Sequence, residues 1–280
     1  MVRASPDKTD SAGPLVCIEA LCVDFHRHQV LRDIYLRIAR GQTVAIIGES
    51  GCGKTVLLKT IIGLLRPTRG AVYLDGRDLA SLAESELTRE RTRFGFVFQQ
   101  AALFDSMTIA QNVAFPLRQH TTKSTAEIRE IVGARLAEVG LPESVMMKKP
   151  AELSGGMRKR VGLARALALE PEIVLYDEPT TGLDPIMSDV INELILTARR
   201  HHPVTSVIVT HDMQTAQKVA DRVVMLYPIS RLREGKPQVI FDGTPAELTR
   251  AADRRVTQFV RGEARERLME MRQSNGMLDD

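Results

Sequence analysis

From Pro14 to Gly48 the apolar positions fall in short β-rich runs, "PLVCIEALCVDF" and "VLRDIYLRIARGQTVAIIG", separated by turn residues, a pattern that predicts strands of a sheet. "KTVLLKTIIGLL" predicts a helix, and "GAVYLDG" a further strand pair. In "TAEIREIVGARLAEVGL" the apolar residues Ile128, Ile131, Val132, Leu136 and Val139 follow a 3.6-residue period, and the chain from about residue 100 to 169 is predicted to be mostly helical. Alternation then resumes. The apolar runs "EIVLYD", "VTSVIVTH" and "DRVVMLY" predict buried strands, set between the helices "IMSDVINELILTARR" and "DMQTAQKVA". Such an order implies an α/β fold: a parallel sheet covered on both faces, with a helical lobe inserted into it. No tandem repeat or low-complexity tract interrupts the pattern. Residues 1–13 are polar and read as a disordered tail, whereas residues 251–280 mix charges with Val256, Phe259, Val260, Leu268 and Met271 and read as a helical, amphipathic tail.

Composition narrows the picture only slightly. The 280 residues are 44% hydrophobic and 26% charged, and 38 basic against 35 acidic residues give a net charge of +3, too little to argue for a protein that coats nucleic acid. Three cysteines, Cys17, Cys22 and Cys52, suit a reducing compartment rather than a disulfide scaffold. The longest apolar runs are far shorter than the roughly 18 residues that cross a bilayer.

Candidate chemistry is concentrated at strand ends. In "VAIIGESGCGKT" an apolar strand runs into Gly48, then Glu49, Ser50, Gly51 and Cys52, then Gly53, Lys54 and Thr55, and a helix follows. This is a phosphate-binding loop in its strand–loop–helix setting. Glycines let backbone N–H groups converge on phosphate, the helix N-terminus adds positive potential, Lys54 reaches the β and γ phosphates, and the Thr55 hydroxyl can bind Mg²⁺. Glu49 and Cys52 place a negative charge and a thiol in this loop, and both are expected to point away from phosphate. Such a loop alone leaves kinases, GTPases, motors and transporters open. The strand in "EIVLYDEPTTGLDP" ends in Asp177 and Glu178, which places Asp177 near Mg²⁺ and Glu178 where it could orient or deprotonate an attacking water. "VTSVIVT" brings His211 to the same sheet edge.

With these motifs in this order, and with "LSGG" between them, the chain resembles an ABC-type ATPase over roughly residues 15–250. The resemblance implies a P-loop NTPase core with a β-rich N-terminal subdomain and an inserted helical signature lobe, within a domain spanning 14–250. It implies ATP and Mg²⁺ as ligands and a homodimer as the working form. It makes Glu178 the catalytic base, His211 the switch histidine, and Gln99 of "FVFQQAALF" the glutamine that senses the metal, ahead of its neighbour Gln100. It makes Asp184 the D-loop contact to the other subunit, Phe25 the aromatic stacked on adenine, and Ser154, Gly155 and Gly156 the signature that caps the γ-phosphate held by the other copy. Arg158, Lys159 and Arg160 are expected to decorate a helix surface near that shared site.

Longer stretches, including "LSGGMRKRVGLARALALEPEIVLYDEPTTGLDPI" with Met157 after the two glycines, are similar to ATPases of MCE-linked (Mla-type) phospholipid transporters. That similarity implies work at the cytoplasmic face of the bacterial inner membrane, with an integral membrane permease pressing a short helix near Gln99 and "AALF". It also implies an MCE-domain lipid-binding protein as a further partner, and no nucleic acid. A transporter for amino acids, metals or lipoproteins would share every catalytic residue. A soluble ABC ATPase acting on nucleic acid would usually carry a coiled coil where only about fifty residues separate Gln99 from Ser154. Three further expectations arise. ATP should shield Cys52 from alkylation, the tail bearing Phe259 reads as a solvated amphipathic segment with a contact to the partner ATPase as the alternative, and the long stretch "LYPISRLREGKPQVIFDGTP" carries no assigned role.

Overall fold

The computed structural model describes residues 13–26, 28–201, 204–233 and 235–264. Two antiparallel strands, β1 (Val16–Phe25) and β2 (His28–Ile38), open the chain and pair with β4 (Arg69–Leu74) and the two-residue β5 (Arg77–Asp78) in a four-stranded sheet ordered β2-β1-β4-β5. The pair expected at "GAVYLDG" is therefore one strand and a short partner beyond its turn. Between these strands lie β3 (Thr43–Ile47) and α1 (Lys54–Ile61), and after them α2 (Glu84–Arg91) and β6 (Phe94–Val97).

Three helices follow: α3 (Ile109–His120), α4 (Thr125–Glu138) and α5 (Gly155–Leu167). Thr108, Ser124 and Ser154 cap them, each accepting a bond from a backbone N–H three residues on. The expected helical stretch thus contains three helices, the first two joined by the short link 121–124 and the last reached through the longer stretch 139–154. Val113, Leu117, Val132, Leu136, Val161 and Leu163 fill one core that continues onto a face of the main sheet. The lobe stands between β6 and β7 (Ile173–Asp177), which are parallel neighbours in that sheet.

The chain then alternates through α6 (Pro185–His201), β8 (Thr205–Val209), α7 (Met213–Val219), β9 (Arg222–Leu226), β10 (Val239–Gly243), α8 (Pro245–Leu248) and α9 (Arg254–Arg261). The six-stranded sheet is ordered β10-β9-β3-β8-β7-β6, parallel throughout except for the antiparallel edge strand β10. Every residue of β3, β7 and β8 is buried, as expected of central parallel strands with both faces covered. Registers Ile46↔Val209 and Asp177↔Val209 bring the C-terminal ends of these three strands level. The loops that leave them therefore meet at one edge of the sheet, where open α/β folds bind their ligands. Among the described residues no helix is long and apolar enough to cross a membrane. The tail expected over residues 1–13 falls almost wholly outside the described residues, as do Leu268 and Met271.

Candidate functional site

The loop after β3 holds its shape because two positions exclude a side chain. Gly48 adopts φ 148°, and a Cβ there would stand 2.3 Å from the Leu226 carbonyl oxygen and 2.8 Å from Cys52 Sγ. Gly53 adopts φ 97°, and a Cβ would stand 2.9 Å from the Val30 carbonyl oxygen. Both are left-handed or related conformations that cost other residues free energy. Helix α1 starts directly after Gly53, so its unpaired N–H groups face the loop's concave side. Lys54 is buried, with Nζ donating to the carbonyls of Gly48 at 2.8 Å and Glu49 at 3.0 Å.

Thr55 turns toward the neighbouring strand end, its hydroxyl donating to Asp177 Oδ1 at 2.8 Å. Burial raises the Asp177 carboxyl above the usual range, the Thr55 bond opposes that rise, and Glu178 adds to it. Glu178 sits at φ 50°, a strained conformation for a residue with a side chain, and its carboxylate is only 12% exposed. Its Oε2 lies 2.8 Å from His211 Nδ1 and accepts the Thr181 hydroxyl at 3.1 Å and the His211 backbone N–H at 3.4 Å. A hydroxyl–carboxylate pair and a carboxylate–imidazole pair therefore flank the lysine on level strand ends.

Lys54, Thr55, Glu178 and His211 line a cleft of about 630 Å³, into which Glu49, Ser50, Gly51, Gln99, Val30 and Phe259 also open, with Asp177 reaching it through Thr55. Phe25 is not part of that lining; it ends β1, 41% exposed, and Val30 on β2 takes the wall. Gln99 lines both this cleft and a second one, whereas Gln100 lines only the second. Ser154, Gly155, Gly156 and Asp184 lie away from the first cleft. Ser154 caps α5, its Oγ accepting Met157 N–H at 3.3 Å, and Gly155 is exposed with no atom within 4 Å of where a Cβ would stand. Gly156 packs on the helix after Asp184, where a Cβ would meet Met187 Cε at 2.9 Å. Asp184 is exposed and caps that helix, accepting Met187 N–H at 2.9 Å.

One expectation needs correction. Arg158 is exposed, but Lys159 does not decorate the surface: it is 9% exposed, and Nζ donates to the carbonyls of Gln99 at 3.1 Å, Glu178 at 3.3 Å and Pro179 at 2.9 Å. Burial pulls its ammonium below the usual lysine range, against the opposing pull of Glu178. Arg160 is half-buried and donates to the carbonyls of Val139 and Gly140. A sequence signal existed, since Gly156, Lys159, Leu163 and Ala166 repeat at helical spacing and share the buried face of α5.

Cys52 also behaves differently from expectation. Cys52 is 1% exposed, and its thiol is raised in pKa, chiefly by burial, with Lys54 pulling the other way. Iodoacetamide at pH 8 should therefore label Cys52 slowly both with and without ATP, while the half-buried Cys17 reacts first. Fast labelling of Cys52 that ATP suppresses would contradict the burial.

A family model described as ABC transporter matches residues 31–181, more than half of the chain. The probable ribonucleotide transport ATP-binding protein of Mycobacterium tuberculosis is 45% identical over 77% of this chain, which spans only 60% of that relative's length. The intermembrane phospholipid transport system ATP-binding protein MlaF of Haemophilus influenzae is 40% identical, over 83% of this chain and 84% of its own. Among solved structures, a dimeric ATP-binding cassette in a post-hydrolysis state with ADP and Pi matches with a TM-score of 0.73 at 33% identity, covering 82% of this chain and 98% of that one. A Clostridium perfringens component of the cbiONQ ABC transporter complex matches with a TM-score of 0.74 at 29% identity, covering 92% and 99%. The level strand ends, the glycine loop and these likenesses agree: the chain belongs to the ABC transporter family and has the fold of its ATP-binding cassettes.

Proposed function

We propose that this chain hydrolyses ATP at a site shared between two copies and so drives a phospholipid, or another hydrophobic molecule, through a partner permease. The observation that carries the reading is the pairing of Glu178 with His211 at the mouth of a loop whose Thr55 already meets Asp177. Lys54 and the N-terminus of α1 hold the β and γ phosphates. Glu178 takes the proton of the attacking water, and His211, aligned by that carboxylate, holds the γ-phosphate side.

Thr55 and Asp177 offer hard oxygen donors for Mg²⁺, with the Gln99 amide facing the same cleft. Such a pair would leave the remaining positions of the ion to phosphate oxygens and water. When bound, magnesium would offset phosphate charge.

Ser154, Gly155 and the N-terminus of α5 open outward rather than into the cleft of their own chain, so a second copy placed head to tail supplies the cap on the γ-phosphate. Asp184 belongs to that contact, and Phe25 is retained for adenine only if the base reaches past Val30.

The lipid reading rests on the relatives' names weighed by coverage. The chain spans most of the phospholipid-transport relative and a smaller share of the ribonucleotide-transport one. On the lipid reading, the chain works at the cytoplasmic face of a bacterial inner membrane with a permease and an MCE-domain lipid-binding protein. The permease docks on the lobe, over Phe104, 42% exposed against Phe115 near Gln99 in the chain, and over Met147, 79% exposed and lining a separate cleft with Ala110 and Ala114 of α3. Buried Asn112 fixes that surface, its amide bonding Phe104 N–H at 2.8 Å and the Phe104 carbonyl at 3.1 Å. Leu103 instead packs against the lobe core, so a charge there breaks the lobe rather than the contact. Phe104→Asp with Met147→Asp should release the permease while ATP binding persists, measured by co-purification and nucleotide titration; undiminished capture contradicts the dock. With the permease in vesicles, lipid transfer should require ATP, and transfer indifferent to ATP would overturn the function.

A further inference from the structure

The long stretch after β9 packs against the phosphate loop. Tyr227 N–H donates to the Gln238 carbonyl at 2.9 Å, closing the two ends of the segment. Gln238 is 1% exposed, and its amide nitrogen donates to the carbonyls of Cys52 at 2.9 Å and Val30 at 3.1 Å, while its oxygen accepts Arg32 N–H at 2.9 Å. One buried side chain therefore ties the loop to β2. Between those ends, a short turn at Ile229–Arg231 sends the Arg231 guanidinium onto the Glu49 carboxylate, with the two side chains only 15% and 32% exposed.

Arg231 is itself held in place. Its guanidinium stacks 4.9 Å from the centre of the Tyr227 ring, and Arg255 of α9 sits at the same distance from that ring. Arg255 is in turn braced by Asp253 through two bonds, at 3.0 and 2.6 Å. The same helix carries Phe259 to the rim of the ATP cleft.

Glu49 poses a charge problem that this arrangement resolves. It is the one carboxylate within the loop sequence Gly48–Thr55, and a triphosphate beside it would be repelled through a partly desolvated medium. Glu49 itself lines the cleft, and arginine stays protonated at any working pH, so Arg231 sets a fixed positive charge against a carboxylate at the wall of that cleft. We infer that Arg231 is a positioning residue for ATP: held by Tyr227 and α9, it pins the Glu49 carboxylate at the cleft wall and neutralises it, and so sets nucleotide affinity without touching the reacting atoms. The inference rests on the reading of this cleft as the ATP site.

The test compares four full-length chains for Mg-ATP affinity by calorimetry, and for KM and kcat in the assembled transporter. Arg231→Ala should raise Kd and KM roughly tenfold with kcat within about twofold, because a freed carboxylate repels bound substrate and transition state alike. Arg231→Lys, which keeps the charge but not the planar stack, should fall between. Arg231→Ala combined with Glu49→Gln should return KM to within about threefold of the parent, since the repelling charge is gone. A double variant as weak as Arg231→Ala alone would overturn the inference, as would a fall in kcat with KM unmoved. Melting temperatures without nucleotide separate misfolding from weak binding. A parent chain that fails to bind ATP overturns the function reading itself, whereas normal parent binding with no rescue overturns this inference alone.

Discussion

Exchanging Glu178 for glutamine should lower ATP turnover by about 10²- to 10⁴-fold, the span that a positioned general base contributes. Glutamine keeps the size and most hydrogen bonds of the side chain, so Thr181 and His211 retain a partner oxygen while the proton acceptor is lost. Nucleotide binding should survive, because Lys54, Thr55 and the loop amides do not depend on that carboxylate. Two copies should therefore close on ATP and stay closed. Size-exclusion chromatography with ATP should show a dimer that a hydrolysing parent would form only transiently. Unchanged turnover in this variant would remove Glu178 from the mechanism.

The second large effect is expected at a residue that does not itself line the ATP cleft. Replacing Lys159 with methionine keeps the packed stem but removes the three donors that Gln99, Glu178 and Pro179 share. Carbonyls buried without partners and charge-assisted bonds lost together should cost about 3 kcal/mol of stability. The functional cost should exceed the structural one, because this ammonium joins the start of α5 to the backbone of both Gln99 and Glu178. A signature helix displaced at one end would no longer report on the loop at the other. Chemical denaturation gives the stability change, and turnover measured well below the new melting point gives the second. A variant as stable and as active as the parent would show that the three bonds are incidental.

Local order was readable wherever it depends on near neighbours in the sequence. The phosphate loop, Asp177 and Glu178, and His211 each follow a buried strand, and burial of β3, β7 and β8 on both faces leaves the uninterrupted apolar runs that mark them. Contacts between distant residues left no such trace. Arg231 meets Glu49 across 182 positions and Lys159 meets Gln99 across 60, and nothing in either local pattern names the partner. Lys159 was misread for a further reason: a long amphipathic side chain in a basic run looks solvated unless its helical phase is compared with Gly156 and Leu163. Phe25 shows the converse, a motif position whose ring the fold leaves outside the cleft lining.

On the proposed mechanism, each hydrolytic site is completed by the outward-facing signature of a second copy. Two defective chains test it, Lys54→Ala, which cannot hold phosphate, and Gly155→Glu, which places a carboxylate where the partner's γ-phosphate would rest. Either homodimer has two damaged sites, whereas a mixed dimer confines both faults to one site and leaves the other intact. Mixing the two chains should restore ATP turnover that neither shows alone. A mixture as inactive as its components would contradict a site shared between copies.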